Sequence, residues 1–136
     1  MKEALLDSDT ISYHLKGIAS VTAQIESNYQ YFGHLNLSVI TYYEIMHGLM
    51  FKDARKQMQS FETFLKDCRI LPLTAEIAHL AAEVFAELRR NNQIISHTDV
   101  LIGATGLQHE LVVITNNQDH FKRIPGLELD NWVVKP

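Results

Sequence analysis

Short runs rich in apolar residues alternate along this chain with longer stretches in which apolar residues recur at helical spacing. Leu35–Ser38, Arg69–Leu73 and Leu111–Thr115 read as strands, the last fully buried by composition. Leu5-Leu6, too short by itself, reads as a strand end because Asp7-Ser8-Asp9-Thr10 after it looks like a helix cap. A final edge strand is expected at 127–129 or at 132–134. Between them the spacing predicts helices over about 11–15, stopped at Gly17, and over 20–32, ended near Gly33. Others follow over 39–50, weakened in its last turn by Gly48, and over 53–66, with Met58, Phe61, Phe64 and Leu65 on one face. The clearest helix begins after Thr74, an N-cap residue, and sets Ile77, Leu80, Ala81, Val84, Phe85 and Leu88 on one side. Glu76 in its first turn and Arg89 and Arg90 in its last suit the helix dipole. Thr98 or Asp99 is expected to cap a helix over 99–109, apolar on most faces and rich in small residues, hence buried against a sheet. Strands alternating with helices imply parallel pairing through right-handed crossovers. The expected architecture is one three-layer α/β domain spanning 1–136, with a central, mainly parallel sheet of four to five strands flanked by helices.

That order of elements gives meaning to the polar residues. Asp7 follows the first apolar run, Glu44 lies just past the second, and Asp99 opens the buried helix. Asn116, Asn117 and Asp119 follow the run 111–115. In a parallel α/β sheet the residues just past each strand converge on one edge, where ligands bind. Each residue alone is accounted for as a cap or a turn former. Oxygen-bearing side chains at four separate strand ends or helix starts are a different matter. Gathered together they repel unless a hard cation such as Mg²⁺ or Mn²⁺ joins them. Such sites hydrolyse phosphodiesters without a serine or cysteine nucleophile.

Composition narrows the classes. With 136 residues, 46% hydrophobic and 21% charged, the chain has the material for one folded core and no disordered tract. A single cysteine, Cys68, excludes an intrachain disulfide and a cysteine-built zinc site. No apolar stretch reaches the ~20 residues of a membrane span, and charge interrupts the N-terminal run at once, so the cytoplasm is the expected compartment. A formal net charge of −4 does not invite nucleic acid over the whole surface. Nucleic-acid chemistry would need local patches such as Lys52, Arg55 and Lys56, or Arg89 and Arg90, or Lys122 and Arg123, and a cation to offset the acids. Of the histidines, His47 stands three residues after Glu44, and His97 and His120 neighbour Asp99 and Asp119. Structural or surface roles are expected for these three. Tyr42, Tyr43 and Phe121 are candidates for base stacking or, more simply, for packing.

The segments LLDSDTISYHL (5–15), LSVITYYEIMHGL (37–49) and SHTDVLIGATGLQHELVVITNNQDHFKRIPGLELDNW (96–132) together resemble the PIN-domain ribonucleases, and among them the VapC-type toxins of bacterial toxin–antitoxin pairs. The resemblance runs nearly end to end. It implies that Asp7, Glu44 and Asp99 hold metal, and that the fourth acidic position of many members falls on Asn117. Here that position carries a neutral amide, which leaves the site one negative charge short. Asp119, two residues on, is the candidate to supply it. Thr115 matches a hydroxyl beside the metal site, Ser38 a polar strand-end residue, and Asp9 a supporting position. The resemblance further implies a Mg²⁺-dependent endoribonuclease, with Mn²⁺ able to substitute, that inhibits translation by cutting RNA. It implies a homodimer and a small antitoxin carrying a DNA-binding region, whose C-terminal segment covers the acidic pocket. Tyr29, Tyr31, Phe32, Tyr43, Met46, Met50 and Phe51 are candidates to line the partner groove.

Two rival readings remain at this level. A catalytically silent PIN-like module that only binds RNA or protein would accommodate Asn117. A phosphoacceptor domain of the flavodoxin-like type also gathers carboxylates at strand ends. It requires an isolated aspartate after the middle strand, where this chain has Thr74, Ala75 and Glu76.

Overall fold

The computed structural model describes residues 1–134. The elements follow in the order β1 (Ala4–Leu6), α1 (Ser8–Leu15), α2 (Ala19–Phe32), β2 (Leu35–Ser38), α3 (Val39–Phe51) and α4 (Arg55–Leu65). Then come β3 (Cys68–Leu71), α5 (Ala75–Arg90), α6 (His97–His109), β4 (Val112–Ile114), α7 (Gln118–Phe121) and β5 (Leu129–Asp130). All strand pairs are parallel. Ala4 faces Val112, Leu35 faces Cys68, and Val113 faces Leu129.

The strands lie in the spatial order β3-β2-β1-β4-β5, yet their main-chain pairing is divided into a three-stranded and a two-stranded sheet. The seam lies between β1 and β2. A side chain bridges it there: Asn36, fully buried, donates through Nδ2 to the Ala4 carbonyl at 3.0 Å. Asn36 Oδ1 accepts from Arg69 Nε at 3.0 Å, so one amide links β1, β2 and β3. Glu3 closes the group, accepting from both Asn36 Nδ2 and Arg69 Nη2 at 3.2 Å. The expected single sheet is therefore present as a layer but not as one continuous ladder.

The alternation of strand side chains divides the core in two. Ala4, Leu6, Leu35, Leu37, Val112 and Ile114 pack with Ile11, Val21, Ile25, Met46, Phe61 and Phe64 of the first four helices. Leu5 and Val113 point the other way, into a core with Ile77, Ala81, Leu88, Val100, Ile102 and Phe121. This is the expected three-layer arrangement.

Element ends carry the predicted caps with two differences. The Thr74 hydroxyl accepts from Ile77 N–H at 3.2 Å, and Gly33 at φ +77° closes α2. Helix α6 is capped by neither Thr98 nor Asp99 but by Ser96, whose Oγ accepts from Asp99 N–H at 3.2 Å. The last strand is Leu129–Asp130, which overlaps the first expected range at Leu129, and residues 132–134 form none. Two residues of pairing carry no sequence periodicity; only the neighbouring β4 defines them. No described helix is long and apolar enough to cross a membrane.

Candidate active site

The chain runs β1, β2, β3 to one side and then returns to place β4 on the other side of β1. The reversal opens a crevice beyond the C-terminal ends of β1 and β4, the position where open α/β sheets bind ligands. Asp7 stands immediately after β1 and Thr115 immediately after β4. Asp99 occupies the first turn of α6, where the positive end of the helix dipole favours a carboxylate. Glu44 reaches the same region from α3, which starts directly from β2. Ser38 makes that start, its Oγ accepting from Ile40 and Thr41 N–H at 3.0 and 3.2 Å. Ser38 thereby sets the direction of the helix that carries Glu44.

Asp7 is held from both sides. Its Oδ1 accepts from Ser8 N–H at 2.8 Å and its Oδ2 from the Thr115 hydroxyl at 2.8 Å. Asp9 Oδ2 accepts from Asn116 N–H at 3.0 Å and stands 3.4 Å from Thr115 Oγ1. Thr115 Oγ1 in turn accepts from Asn117 N–H at 3.0 Å, which fixes the turn after β4. The Thr10 hydroxyl donates to the Ile114 carbonyl at 2.9 Å and secures α1 against the same strand.

Electrostatics joins these acids. Burial, and then Asp9, push the Asp7 carboxyl up to about 7; the hydrogen bonds from Thr115 and Ser8 pull it back, and Asp99 adds to the rise. Burial also raises Glu44, with Asp99 again pushing upward and the Thr98 hydroxyl and His47 opposing. Asp99 thus acts on both of the other acids. Asn117 places its Nδ2 3.1 Å from His120 Nδ1, which stands 3.2 Å from Asp99 Oδ2. Asp119 takes another direction. It is exposed and pairs with Lys122 at 3.3 Å on its own helix.

Among the described residues, no three His, Cys, Asp or Glu side chains close round one point as a ready-made cage. The donor set is nonetheless one that a hard cation fits. It is made of carboxylates, one buried, with Asp99 adding to the cost of ionising both Asp7 and Glu44, and Mg²⁺ in such a setting keeps several waters and takes only one or two carboxylates directly. A hollow of about 620 Å³ between α5 and α6, lined by Ala78, Ala82, Phe85, Arg89, His97 and Leu101, holds none of these acids.

The three aromatic candidates resolve differently from one another. Phe121 is fully buried and belongs to the core, so it has no face for a base. Tyr43 is exposed, while Tyr42 stacks on Phe61 inside. His97 lies against Phe85 with ring centres 4.4 Å apart, away from the acids. His120, by contrast, joins the site that its spacing alone did not assign to it. The Thr98 hydroxyl likewise bears on Glu44, opposing the rise of its carboxyl. In sequence it shows only as a candidate cap.

A strand-end carboxylate cluster at the switch point of a parallel sheet, with helix α6 delivering an acid by its first turn, defines the class. The sequence matches the PIN domain family over residues 4–127. It is 32% identical over 97 residues to Ribonuclease VapC2 of Rickettsia felis, covering 71% of this chain and 72% of that one. It is 29% identical over 97 residues to the tRNA(fMet)-specific endonuclease VapC of Salmonella typhimurium, covering 71% of this chain and 74% of that one. The crystal structure of VapBC2 from Rickettsia felis bound to a fragment of promoter DNA contains a chain of the same fold. Its TM-score is 0.88, with 26% identity over 96% of this chain and 98% of that one. The chain belongs to the PIN-domain family and, within it, to the VapC ribonucleases.

Proposed function

We propose that the chain is a Mg²⁺-dependent endoribonuclease, Mn²⁺ being able to substitute, and the toxin of a type II toxin–antitoxin pair that inhibits translation by cutting RNA. The observation that carries this reading is the coupling of Asp7, Glu44 and Asp99 at the crevice beyond β1 and β4, with Asp7 raised to about 7. A buried carboxyl poised at that value binds either a proton or a cation at neutral pH.

When bound, the ion supplies Lewis-acid polarisation of the phosphoryl oxygen and offsets charge on the leaving and attacking oxygens. The chain's own residues do the rest. Asp7, Glu44 and Asp99 would hold the ion. Thr115 and the Ser8 N–H keep Asp7 oriented, and Asp9 fixes the 115–117 turn through Asn116 N–H. Asn117 offers a neutral oxygen or holds a water.

The relatives' names support the partners. One is named for a tRNA(fMet) substrate, and the Rickettsia neighbour is a VapBC complex on DNA. Initiator tRNA is accordingly the first substrate to test here. A small antitoxin with a DNA-binding region is the proposed partner, and its tail would cover the apolar residues exposed on α2 and α3. Of the set singled out in sequence, Tyr29, Tyr31, Tyr43, Met50 and Phe51 are exposed, whereas Met46 is buried and Phe32 half-buried. We take residues 1–136 as one functional unit that works in the cytoplasm as a homodimer.

The test is cleavage of RNA by the purified chain with Mg²⁺, with EDTA, and after Asp99→Asn. Cleavage is expected only in the first case, with loss of at least about a hundredfold in the variant. Cleavage that survives both EDTA and the substitution would overturn the reading.

A further inference from the structure

Three polar atoms meet where α7 passes the first turn of α6. His120 Nδ1 lies 3.2 Å from Asp99 Oδ2 and 3.1 Å from Asn117 Nδ2. A carboxylate oxygen only accepts and an amide nitrogen only donates, while one imidazole nitrogen does one or the other. If Asn117 Nδ2 donates to Nδ1, the ring turns a lone pair towards a carboxylate at contact distance. If Nδ1 carries the proton, it serves Asp99 and meets the Asn117 N–H head on. Turning the amide over brings its oxygen to the same place, and then carboxylate, imidazole and carbonyl are three acceptors facing one another. A single proton satisfies that arrangement in part. A cation satisfies all of it.

The spacing agrees. With metal–ligand bonds of about 2.1 Å, neighbouring ligands of an octahedral ion stand roughly 3 Å apart. The ring is also free to serve. Its side chain is 46% exposed on a four-residue helix, against 15% for Asp99, so core packing does not account for its position.

We propose that His120 is a metal ligand through Nδ1, beside Asp99, and that it makes good the ligand lost where Asn117 stands at the fourth acidic position. The assignment rests on the reading that Asp7, Glu44 and Asp99 hold the ion. It has a specific consequence. Mg²⁺ prefers oxygen, whereas nitrogen donors favour transition ions, so an imidazole in a carboxylate site moves its preference from Mg²⁺ to Mn²⁺.

Mn²⁺ and Mg²⁺ binding to the full chain is measured by calorimetry, and pulsed electron paramagnetic resonance of the Mn²⁺ form reads nitrogen coupled to the ion. Nitrogen coupling is expected in the natural chain and in His47→Gln, and not in His120→Gln. His120→Gln, which removes the imidazole nitrogen and keeps a neutral polar side chain, should weaken Mn²⁺ at least about tenfold and Mg²⁺, which prefers oxygen, by less. Circular dichroism checks that the exposed substitution leaves the fold intact. If the chain binds Mn²⁺ and Asp99→Asn abolishes binding, but no nitrogen couples or His120→Gln retains the coupling, the His120 assignment falls and the carboxylate site stands. If the natural chain binds no Mn²⁺, both fall.

Discussion

Asp7 shows what a single residue contributes and costs. Its carboxyl is buried beside Asp9 and rises from 3.8 to about 7. Between those values the folded chain holds a proton that the unfolded chain has released. Stability from this group is therefore full below about pH 4 and is lost as pH rises to about 7. A shift of that size corresponds to on the order of 4 kcal/mol. Asp7→Asn keeps a side chain able to meet Ser8 and Thr115 but cannot ionise. In EDTA at pH 8 the variant is expected to melt at a higher temperature than the natural chain, with the gap narrowed at pH 5 and closing below about pH 4. A variant that melts lower at both values would show that Asp7 is not the strained group. With the ion present the order reverses, because proton and cation compete for Asp7, and cleavage by the natural chain should rise with pH up to about 7. Asp7, Glu44 and Asp99 were legible in sequence because each lies beside an apolar run or opens a helix. His120 was not. Its approach to Asp99 depends on the turn from β4 into α7, which Thr115 and Asn117 fix by a hydrogen bond that no periodicity announces. The same turn carries Asp119 out to Lys122, although the residue lies closer in sequence to Asn117 than His120 does.

At the scale of elements, two helix-interior glycines separate propensity from packing. Gly48 lies within α3, and a Cβ built there meets nothing within 4 Å. Gly48→Ala removes backbone entropy from the unfolded chain and is expected to stabilise by about 0.5–1 kcal/mol. Gly106 lies within α6 on the sheet side. A Cβ there would stand 2.9 Å from Val113 Cγ2 and 3.2 Å from Leu127 Cδ1. Val113 is fully buried and branched at Cβ, so it has little room to turn away. Gly106→Ala is expected to destabilise by about 1–3 kcal/mol, propensity notwithstanding. Urea titration of the two variants should move the midpoint in opposite directions; a shared direction would refute the packing argument. Sequence revealed both helices and their approximate bounds, since long amphipathic or apolar spans keep their period. It did not reveal that Ser96 caps α6, because Ser96, Thr98 and Asp99 are all capping residues and only the backbone path chooses among them. Nor did it separate the roles of the glycines, because small residues in a buried helix look alike until the facing strand is placed.

Across the whole molecule, the parallel layer was readable from strand–helix alternation, but its division was not. Asn36 sits in an otherwise apolar strand, and its role follows only when β2 lies beside β1. There its amide replaces missing main-chain bonds, joining the Ala4 carbonyl to Arg69 and Glu3. The seam has a functional side. Asp7 follows β1, while Glu44 stands on the helix that leaves β2, so the alignment of the two half-sheets sets the distance between these acids. Asp7 and Asp99 are tied instead through β4 and α6, on the far side of the seam. Asn36→Ala leaves the Ala4 carbonyl and Arg69 Nε without the Asn36 amide, Arg69 keeping Glu3, and is expected to cost about 1–3 kcal/mol. Asn36→Asp should cost more, and increasingly as pH rises through the carboxylate range, because its oxygens then face the Ala4 carbonyl and Glu3. If the seam aligns the site, Asn36→Ala measured well below its melting temperature, where it is fully folded, loses RNA cleavage by at least about tenfold and weakens Mn²⁺. Unchanged cleavage and Mn²⁺ affinity in the folded variant would confine Asn36 to stability and leave Glu44 positioned by Ser38 and the packing of α3 alone.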